Sequence, residues 1–269
     1  MELIKAVILG VIQGATEFLP VSSSGHLVLG SHFLDFSGQG IVFDVMLHLG
    51  TLISVLVVFR RDLFEMARAP FRWLGGWTSE NQRVYLLWDV YVVVATIPAV
   101  IVGVLFKERI ELLFTSEVIV CLMLVITGLM MIISRYLTDR GRRVNAIGSF
   151  LIGCGQALAI VPGISRSGTT IFVGMLLGIN REKVARFSFI MSIPAILGAA
   201  VLNLGDVLRR PPSNNEALML LSGTLAAAIT GYLAIVLLLD IIRRNRLQWF
   251  GYYCLAVASA GLIYLLFVS

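Results

Sequence analysis

Charged residues are scarce in this sequence. They make up 14% of the 269 residues, whereas hydrophobic residues make up 58%. Soluble domains carry about a quarter charged residues, and the mean hydropathy here is +0.92. This composition excludes an ordinary soluble domain and predicts an all-α polytopic integral membrane protein.

Cysteine is also scarce and unpaired. Cys121, Cys154 and Cys254 stand singly within apolar segments. They lack the paired spacing of a metal or redox motif, which favours a packing role. A segment with a basic flank, a short apolar core and a small-residue cleavage site is lacking at the amino terminus, so we expect no removable signal peptide.

Apolar runs long enough to cross a hydrocarbon core of roughly 30 Å occur six times. They are residues 41–59, 85–106, 117–134, 187–205, 217–239 and 248–268. The segments 3–34 and 147–178 are each too short and too polar for two further crossings. Because broken backbone is tolerated at membrane depth when protein buries it, we predict a re-entrant helical hairpin in each.

The positive residues predict the orientation. Fifteen Lys and Arg lie in the loops at 60–83, 135–146, 179–186 and 240–247, against five on the other face. The positive-inside rule then places the first group in the cytoplasm and both termini outside. Topology therefore accounts for the net charge of +5, and we expect no nucleic-acid partner.

The most polar stretch in an apolar setting is GVIQGATEFLPVSSSGH, residues 10–26. The stretch GCGQALAIVPGISRSGTT, residues 153–170, repeats it at an offset of 143 residues, with glycine, glutamine and serine at matching positions. We interpret the chain as a single membrane domain, 1–269, with inverted-repeat halves of approximately 1–134 and 147–268. Such repeats place the working site near the midplane, where the halves meet.

Glu17 and Arg166 are the residues of these two stretches that carry a full charge at neutral pH. A charge inside a bilayer costs at least about 2.5–3.5 kcal/mol on insertion scales and is a functional candidate by default. A purely structural ion pair between them is the alternative. We favour function because both residues sit at helix breaks beside serines.

Each predicted break creates a new helix start. Ser22 and Ser165 are expected N-caps, and the N–H groups that follow form an anion site. Arg166 can grip phosphate oxygens with two donors. The sequence thus predicts a phosphate or pyrophosphate pocket, whose expected binding residues are Ser22, Ser24, Gly163, Ser165, Arg166, Ser167 and Thr169.

His26 follows Ser23 by three residues, so the two are expected to share a helix face. Asp44 and His48 are four residues apart on the first full span. They either line the mouth of the pocket or bond to each other, and the sequence leaves both open. Gln13 is expected to bond to broken backbone.

Three long and specific motifs stand out: QGATEFLPVSSSGH at 13–26, PGISRSGTT at 162–170 and REKVARFSFIMSIPA at 181–195. They resemble the bacitracin-resistance family of undecaprenyl-diphosphate phosphatases. The resemblance implies hydrolysis of the terminal phosphate of a C55 isoprenyl diphosphate at the outer face of the plasma membrane. This reaction recycles the lipid carrier of peptidoglycan synthesis and confers bacitracin resistance.

The resemblance also implies site residues. Glu17, Ser23, His26 and Arg166 match the family's catalytic positions, and a divalent metal, Mg²⁺ or Ca²⁺, is associated with the family. Glutamate or glutamine occurs in the family where Gln13 stands here. Any metal is therefore expected on Glu17 with Gln13 as a weaker neighbour, completed by water and substrate phosphates.

Two questions stay open at this level. The nucleophile is either Ser23, activated by Glu17 or His26, or a water molecule that one of these residues activates. A transporter or flippase of a polyprenyl phosphate is the alternative function, because inverted repeats with broken helices also build transporters. A homodimer is compatible with the sequence and is not specified by it.

Overall fold

The computed structural model describes residues 1–36, 40–76, 79–209 and 212–267. Within these ranges the chain is helical and shows no β-strand beyond one isolated bridge between Arg142 and Ile179. The helices are α1 Glu2–Phe18, α2 Ser23–Leu34, α3 Ile41–Val58, α4 Arg60–Leu74, α5 Glu80–Leu105, α6 Lys107–Leu113, α7 Glu117–Ser134, α8 Ala146–Leu158, α9 Arg166–Leu176, α10 Arg181–Arg209, α11 Asn214–Arg243 and α12 Gln248–Phe267.

Five of these helices are long and apolar enough to cross a membrane by length and composition, or six when the bent pair α3 and α4 counts as one. The most apolar of them, α7, has a mean hydropathy of 2.5. Their outward faces carry large apolar side chains such as Val93 at 64% and Ile229 at 63% exposure. A multi-pass membrane protein exposes such faces to lipid.

The loop expected at 60–83 is instead partly helical. Helix α4 follows α3 after a break at Phe59 and is bent from it by 78°. Its apolar residues Met66 and Ala69 are buried, while Arg60 and Arg61 remain exposed. Six of its fifteen residues are charged, and this amphipathic helix was therefore interpreted as a loop from the sequence.

Two close helix crossings occupy matching positions in the two halves. Gly10 of α1 lies against the backbone carbonyl of Gly223 on α11, and Gly153 of α8 lies against the carbonyl of Ala95 on α5. A side chain at either glycine would collide with that carbonyl. Small residues allow membrane helices to approach this closely, and each crossing fixes the helix that precedes a break.

The main core lies beside the first break. Phe18, the last residue of α1, is fully buried, and its ring packs edge-on against Phe189 of α10 with centroids 5.6 Å apart. Phe59 also packs against Phe189, with ring centroids 5.8 Å apart. This aromatic cluster joins α1, α3 and α10, and it fixes the end of α1 where Glu17 stands.

Candidate functional site

The first break separates α1 from α2. Pro20 cannot donate a backbone hydrogen bond, and it pushes Leu19 into the extended conformation, with φ −66° and ψ 142°. Ser22 caps α2, since its Oγ accepts from the backbone N of Gly25 at 3.3 Å. The predicted N-cap is therefore confirmed.

The second break separates α8 from α9 and repeats this arrangement. Ser165 caps α9, with its Oγ accepting from the N of Gly168 at 3.1 Å, so this N-cap is also confirmed. The Oγ atoms of Ser165 and Ser167 lie 3.2 Å apart, and those of Ser22 and Ser24 lie 3.3 Å apart. The matched spacing in the sequence thus reflects matched local structure.

The two breaks are in contact. Ser167 Oγ donates to the carbonyl of Leu19 across them at 3.2 Å. Thr127 of α7 supports the second break, since its Oγ1 donates to the carbonyl of Gly163 at 2.9 Å and accepts from Ser165 N at 3.0 Å. The starts of α2 and α9 are thereby held side by side.

Glu17 is the centre of the polar cluster. Its side chain is only 5% exposed, and its Oε1 forms an ion pair with Nη2 of Arg166. Its Oε2 accepts from Ser23 Oγ at 2.6 Å and from Gln13 Nε2 at 2.9 Å. A buried carboxylate requires such donors to offset lost hydration. Residues 149 positions apart in sequence meet here.

Gln13 links Glu17 to a third helix. Its Nε2 also lies 2.9 Å from Nδ1 of His48 on α3. Gln13 is fully buried, and its Oε1 is buried without a hydrogen-bond partner. Gln13 thus bonds to side chains, and the expectation that it would bond to broken backbone is wrong.

A cavity of about 800 Å³ opens next to this cluster. Its polar wall includes Ser24, Asp44 and His48, and its apolar wall includes Leu27 and Phe36. The sequence left two roles open for Asp44 and His48, and the structure places both in the cavity wall. Asp44 Oδ1 is buried without a hydrogen-bond partner.

His26 points elsewhere. Its Nδ1 lies 2.8 Å from the carbonyl of Ser22, and its Nε2 lies 2.9 Å from the hydroxyl of Tyr253 on α12. The two rings are within 9° of parallel. Both ring nitrogens thus bond to groups other than Glu17 and Ser23, although His26 and Ser23 lie on the same helix. Nothing in the sequence indicated this pairing, which joins residues 227 positions apart.

The predicted phosphate-binding residues divide into two groups. Ser165, Ser167 and Thr169 are at most 3% exposed. Their hydroxyls bond to other groups of the two breaks, as when Thr169 Oγ1 donates to Ser165 O at 2.8 Å. A side chain on Gly163, whose φ is 92°, would collide with the carbonyl of Val120, so this glycine permits close packing on α7. These four residues build the break.

The groups left for an anion are few and lie together. Arg166 Nη1 is buried without a hydrogen-bond partner. Ser22 caps Gly25 and leaves the first-turn N–H groups of Ser23 and Ser24 for a ligand. A helix start with a free guanidinium nitrogen is suited to a phosphate group. The cluster therefore combines groups suited to an anion with a hydroxyl that donates to a carboxylate.

The sequence matches a known protein family over most of its length. The model of the family described as bacitracin resistance protein BacA matches residues 6–260. The chain belongs to the BacA family. The match includes both breaks, the cavity and the helices that hold them.

Curated relatives of the BacA type align along nearly their whole length. A protein of Rubrobacter xylanophilus named undecaprenyl-diphosphatase is 46% identical over 96% of this chain and 97% of its own. Proteins of the same name from Methanobrevibacter smithii and Christiangramia forsetii are 43% and 39% identical, over 94% and 98% of this chain and the same shares of their own. The likeness covers the site as well as the scaffold.

Proposed function

We propose that this BacA-family protein is an undecaprenyl-diphosphatase that acts through a phosphoserine at Ser23. The enzyme removes the terminal phosphate of a C55 isoprenyl diphosphate and leaves undecaprenyl phosphate, the lipid carrier of cell-wall synthesis. The observation that carries the proposal is the 2.6 Å hydrogen bond from Ser23 Oγ to Glu17 Oε2, beside the free Nη1 of Arg166.

The first half of the reaction transfers the phosphoryl group to the enzyme. Ser23 Oγ attacks the terminal phosphorus while its proton passes to Glu17 Oε2, and the bond from that phosphorus to the bridging oxygen breaks. Undecaprenyl phosphate leaves. Arg166 and the first N–H groups of α2 stabilise the charge on the transferred group, which is most of what phosphoryl transfer requires.

The second half regenerates the serine. Water attacks the phosphoserine, the bond to Oγ breaks, and Ser23 recovers a proton as inorganic phosphate is released. The alternative is direct attack by water that Glu17 activates. The 2.6 Å hydrogen bond favours attack by the serine, because it joins Ser23 Oγ to the carboxylate oxygen that would take its proton. Ser23 is also the first residue of α2, so its hydroxyl lies at the proposed anion site.

A divalent cation belongs to this proposal. The carboxamide oxygen Oε1 of Gln13 is buried without a partner beside Glu17, and the described residues hold no group of three His, Cys, Asp or Glu side chains that could bind a metal. The protein therefore offers few ligands of its own. A Mg²⁺ or Ca²⁺ would be held by the oxygen of Gln13, the carboxylate of Glu17 and the substrate's own phosphates. When bound, the cation neutralises charge on the diphosphate.

The finer architecture is also part of the proposal. The chain is placed in the plasma membrane with α1–α2 and α8–α9 as re-entrant hairpins of an inverted repeat, six spans around them, and the active site outside. The way in which the two halves pack supports this. Helix α1 of the first half packs on α11 of the second half, and α8 of the second half packs on α5 of the first half. The repeated serine caps support it equally.

The orientation can be checked by labelling. In a variant without Cys121, Cys154 and Cys254, we expect Asn215→Cys to react with an impermeant thiol reagent added to intact cells, and Arg140→Cys to react only after permeabilisation. The reason is the excess of positive residues on the side of Arg140. Labelling of Arg140→Cys from outside would overturn the orientation. Asn215 belongs to the loop at 206–216, which the charge count predicts to be outside; residues 210–211 of this loop lie outside the described residues.

The activity itself can be checked in detergent. Purified protein should release phosphate from undecaprenyl diphosphate, and a chelator should abolish most of the release if the cation acts as proposed. A flippase needs a sealed compartment to be scored, so release in detergent separates the two functions. Absence of release by folded protein with Mg²⁺ or Ca²⁺ supplied would instead favour the flippase.

A further inference from the structure

A second cavity, of about 550 Å³, is lined by other helices than the first. Its wall is formed by α4, α5, the segment before α8 and the start of α10, whereas the first cavity is lined mainly by α2 and α3. Among the described residues, none lines both cavities. The second cavity is therefore separate from the proposed active site.

One face of α5 forms the apolar wall of this second cavity. Tyr85, Trp88 and Tyr91 follow one another at a spacing of three residues and all line it. Trp88 packs edge-on against Phe187 of α10, with ring centroids 5.8 Å apart. Val84 also lines the cavity, and it is 37% exposed on a helix that is a candidate membrane span. Because exposed apolar side chains of such a span face lipid, the apolar wall is continuous with the lipid-facing surface.

Most charges of the polar wall are paired with one another. Asp62 accepts a hydrogen bond from the hydroxyl of Tyr85 at 3.3 Å and pairs with Arg186 at 3.8 Å. Glu182 pairs with Arg186 at 3.1 Å and with Arg243 at 2.9 Å. The two carboxylates and two guanidinium groups of this network offset one another.

Two further cations of the wall have no such partner. Arg143 and Lys183 both line the cavity, and neither forms an ion pair or a side-chain hydrogen bond with any described residue. Backbone pairing brings their segments together, since Asn180 N donates to Arg142 O at 3.3 Å. Glu80 is the remaining acidic residue of the wall. The unpaired cations thus outnumber the unpaired anion, and the cavity favours an anionic ligand.

We propose that this cavity binds one anionic phospholipid, whose phosphate contacts Arg143 and Lys183 and whose acyl chain runs along α5. Basic pockets between membrane helices on the cytoplasmic side bind anionic head groups, and both cations belong to the positive face of the chain. Tyrosine and tryptophan are typical of the head-group level of a membrane. A soluble anion would use the cations and leave the aromatic wall bare, whereas a phospholipid uses both.

Lipid binding can be measured on the purified protein in detergent. After co-purified lipid is removed, phosphatidylglycerol is added, and native mass spectrometry counts the lipids bound at each concentration. We expect one lipid to bind more tightly than any further lipid. Phosphatidylcholine with the same acyl chains has no net charge and should bind at least about tenfold more weakly.

The variant that tests the site combines Arg143→Ala with Lys183→Ala. We expect it to raise the Kd of the first phosphatidylglycerol by about thirtyfold, because two attractive charges are lost. The matched control combines Arg61→Ala with Arg246→Ala. These two residues are exposed and carry the same charge on the same face, but they do not line the cavity. The control should therefore change the Kd by less than about threefold.

The thermal unfolding midpoint without lipid shows whether each variant is folded. If the first double variant fails to fold, Arg143→Ala and Lys183→Ala are measured singly, and each should raise the Kd by about fivefold. In the wild type, saturating phosphatidylglycerol should raise the midpoint, because a ligand that binds only the folded state stabilises it.

Any of three results would overturn the proposed site. The first is a Kd change below about threefold in the folded Arg143→Ala, Lys183→Ala variant; the second is an equal loss in the control; the third is equal affinity for phosphatidylcholine. Glycerol 3-phosphate has the phosphate without acyl chains, and at the same concentration it should not displace the lipid. Displacement would assign the cavity to soluble phosphate esters instead. None of these measurements requires phosphatase activity, so they are independent of the proposed function.

Discussion

Ser23→Ala is expected to lower kcat for phosphate release by at least about a thousandfold, because removing an essential nucleophile costs several orders of magnitude. The phosphate site should remain, since the Ser22 cap, Arg166 and the first N–H groups of α2 do not depend on the Ser23 hydroxyl. Substrate should therefore still bind. The steady-state rate of phosphate release from undecaprenyl diphosphate in detergent, measured over a range of substrate concentrations, gives both kcat and KM.

Ser24→Ala is the matched control. Ser24 is the next residue of the same helix turn, lines the cavity and bonds through its Oγ to Ser22 at 3.3 Å. Its hydroxyl can assist phosphate binding but has no contact with Glu17 in this arrangement, so a loss below about tenfold is expected. A Ser23→Ala enzyme that kept more than about a tenth of wild-type turnover would exclude the covalent route.

Arg166→Lys is expected to lose at least about a hundredfold in kcat/KM although the charge is retained. Arg166 uses Nη2 for Glu17 and leaves Nη1 for a phosphate oxygen. A lysine ammonium is a point charge that cannot present two donors in this fixed plane. Because the diphosphate is common to the substrate and the transition state, both KM and kcat should suffer.

Arg244→Lys tests whether the loss is local. Arg244 pairs with Asp240 at 2.8 Å, and its side chain is 62% exposed, so the substitution should leave kcat/KM within about twofold of the wild type. The same small change in Arg166→Lys would show that Arg166 does not need separate nitrogens for Glu17 and for a phosphate oxygen.

The sequence could predict the local structure of the two breaks. Proline positions, the matched serines and the apolar runs on either side are local signals, and they placed both N-caps correctly. Glu17 and Arg166 were singled out because a charge is costly in apolar surroundings. An ion pair between them was the less favoured alternative to a functional role. The structure shows this pair, and it also leaves one guanidinium nitrogen of Arg166 without a hydrogen-bond partner.

The contacts between distant helices could not be predicted in this way. Which face α3 turns towards α1 depends on packing along the whole helix, so the bond from Gln13 to His48 has no signal in either segment alone. The pairing of His26 with Tyr253 joins residues 227 positions apart. Helix α4 was hidden for a different reason, since its charges match those of a loop.

The central claim is that the terminal phosphate passes through Ser23, and rapid quenching measures this most directly. Substrate labelled in the terminal phosphate is mixed with the enzyme, quenched within the first turnover and digested, and the peptide spanning 21–30 is analysed by mass spectrometry. The account predicts acid-stable label on Ser23 that forms before phosphate is released. Release of a full equivalent of phosphate with no label on that peptide at any time would contradict it and assign the attack to water.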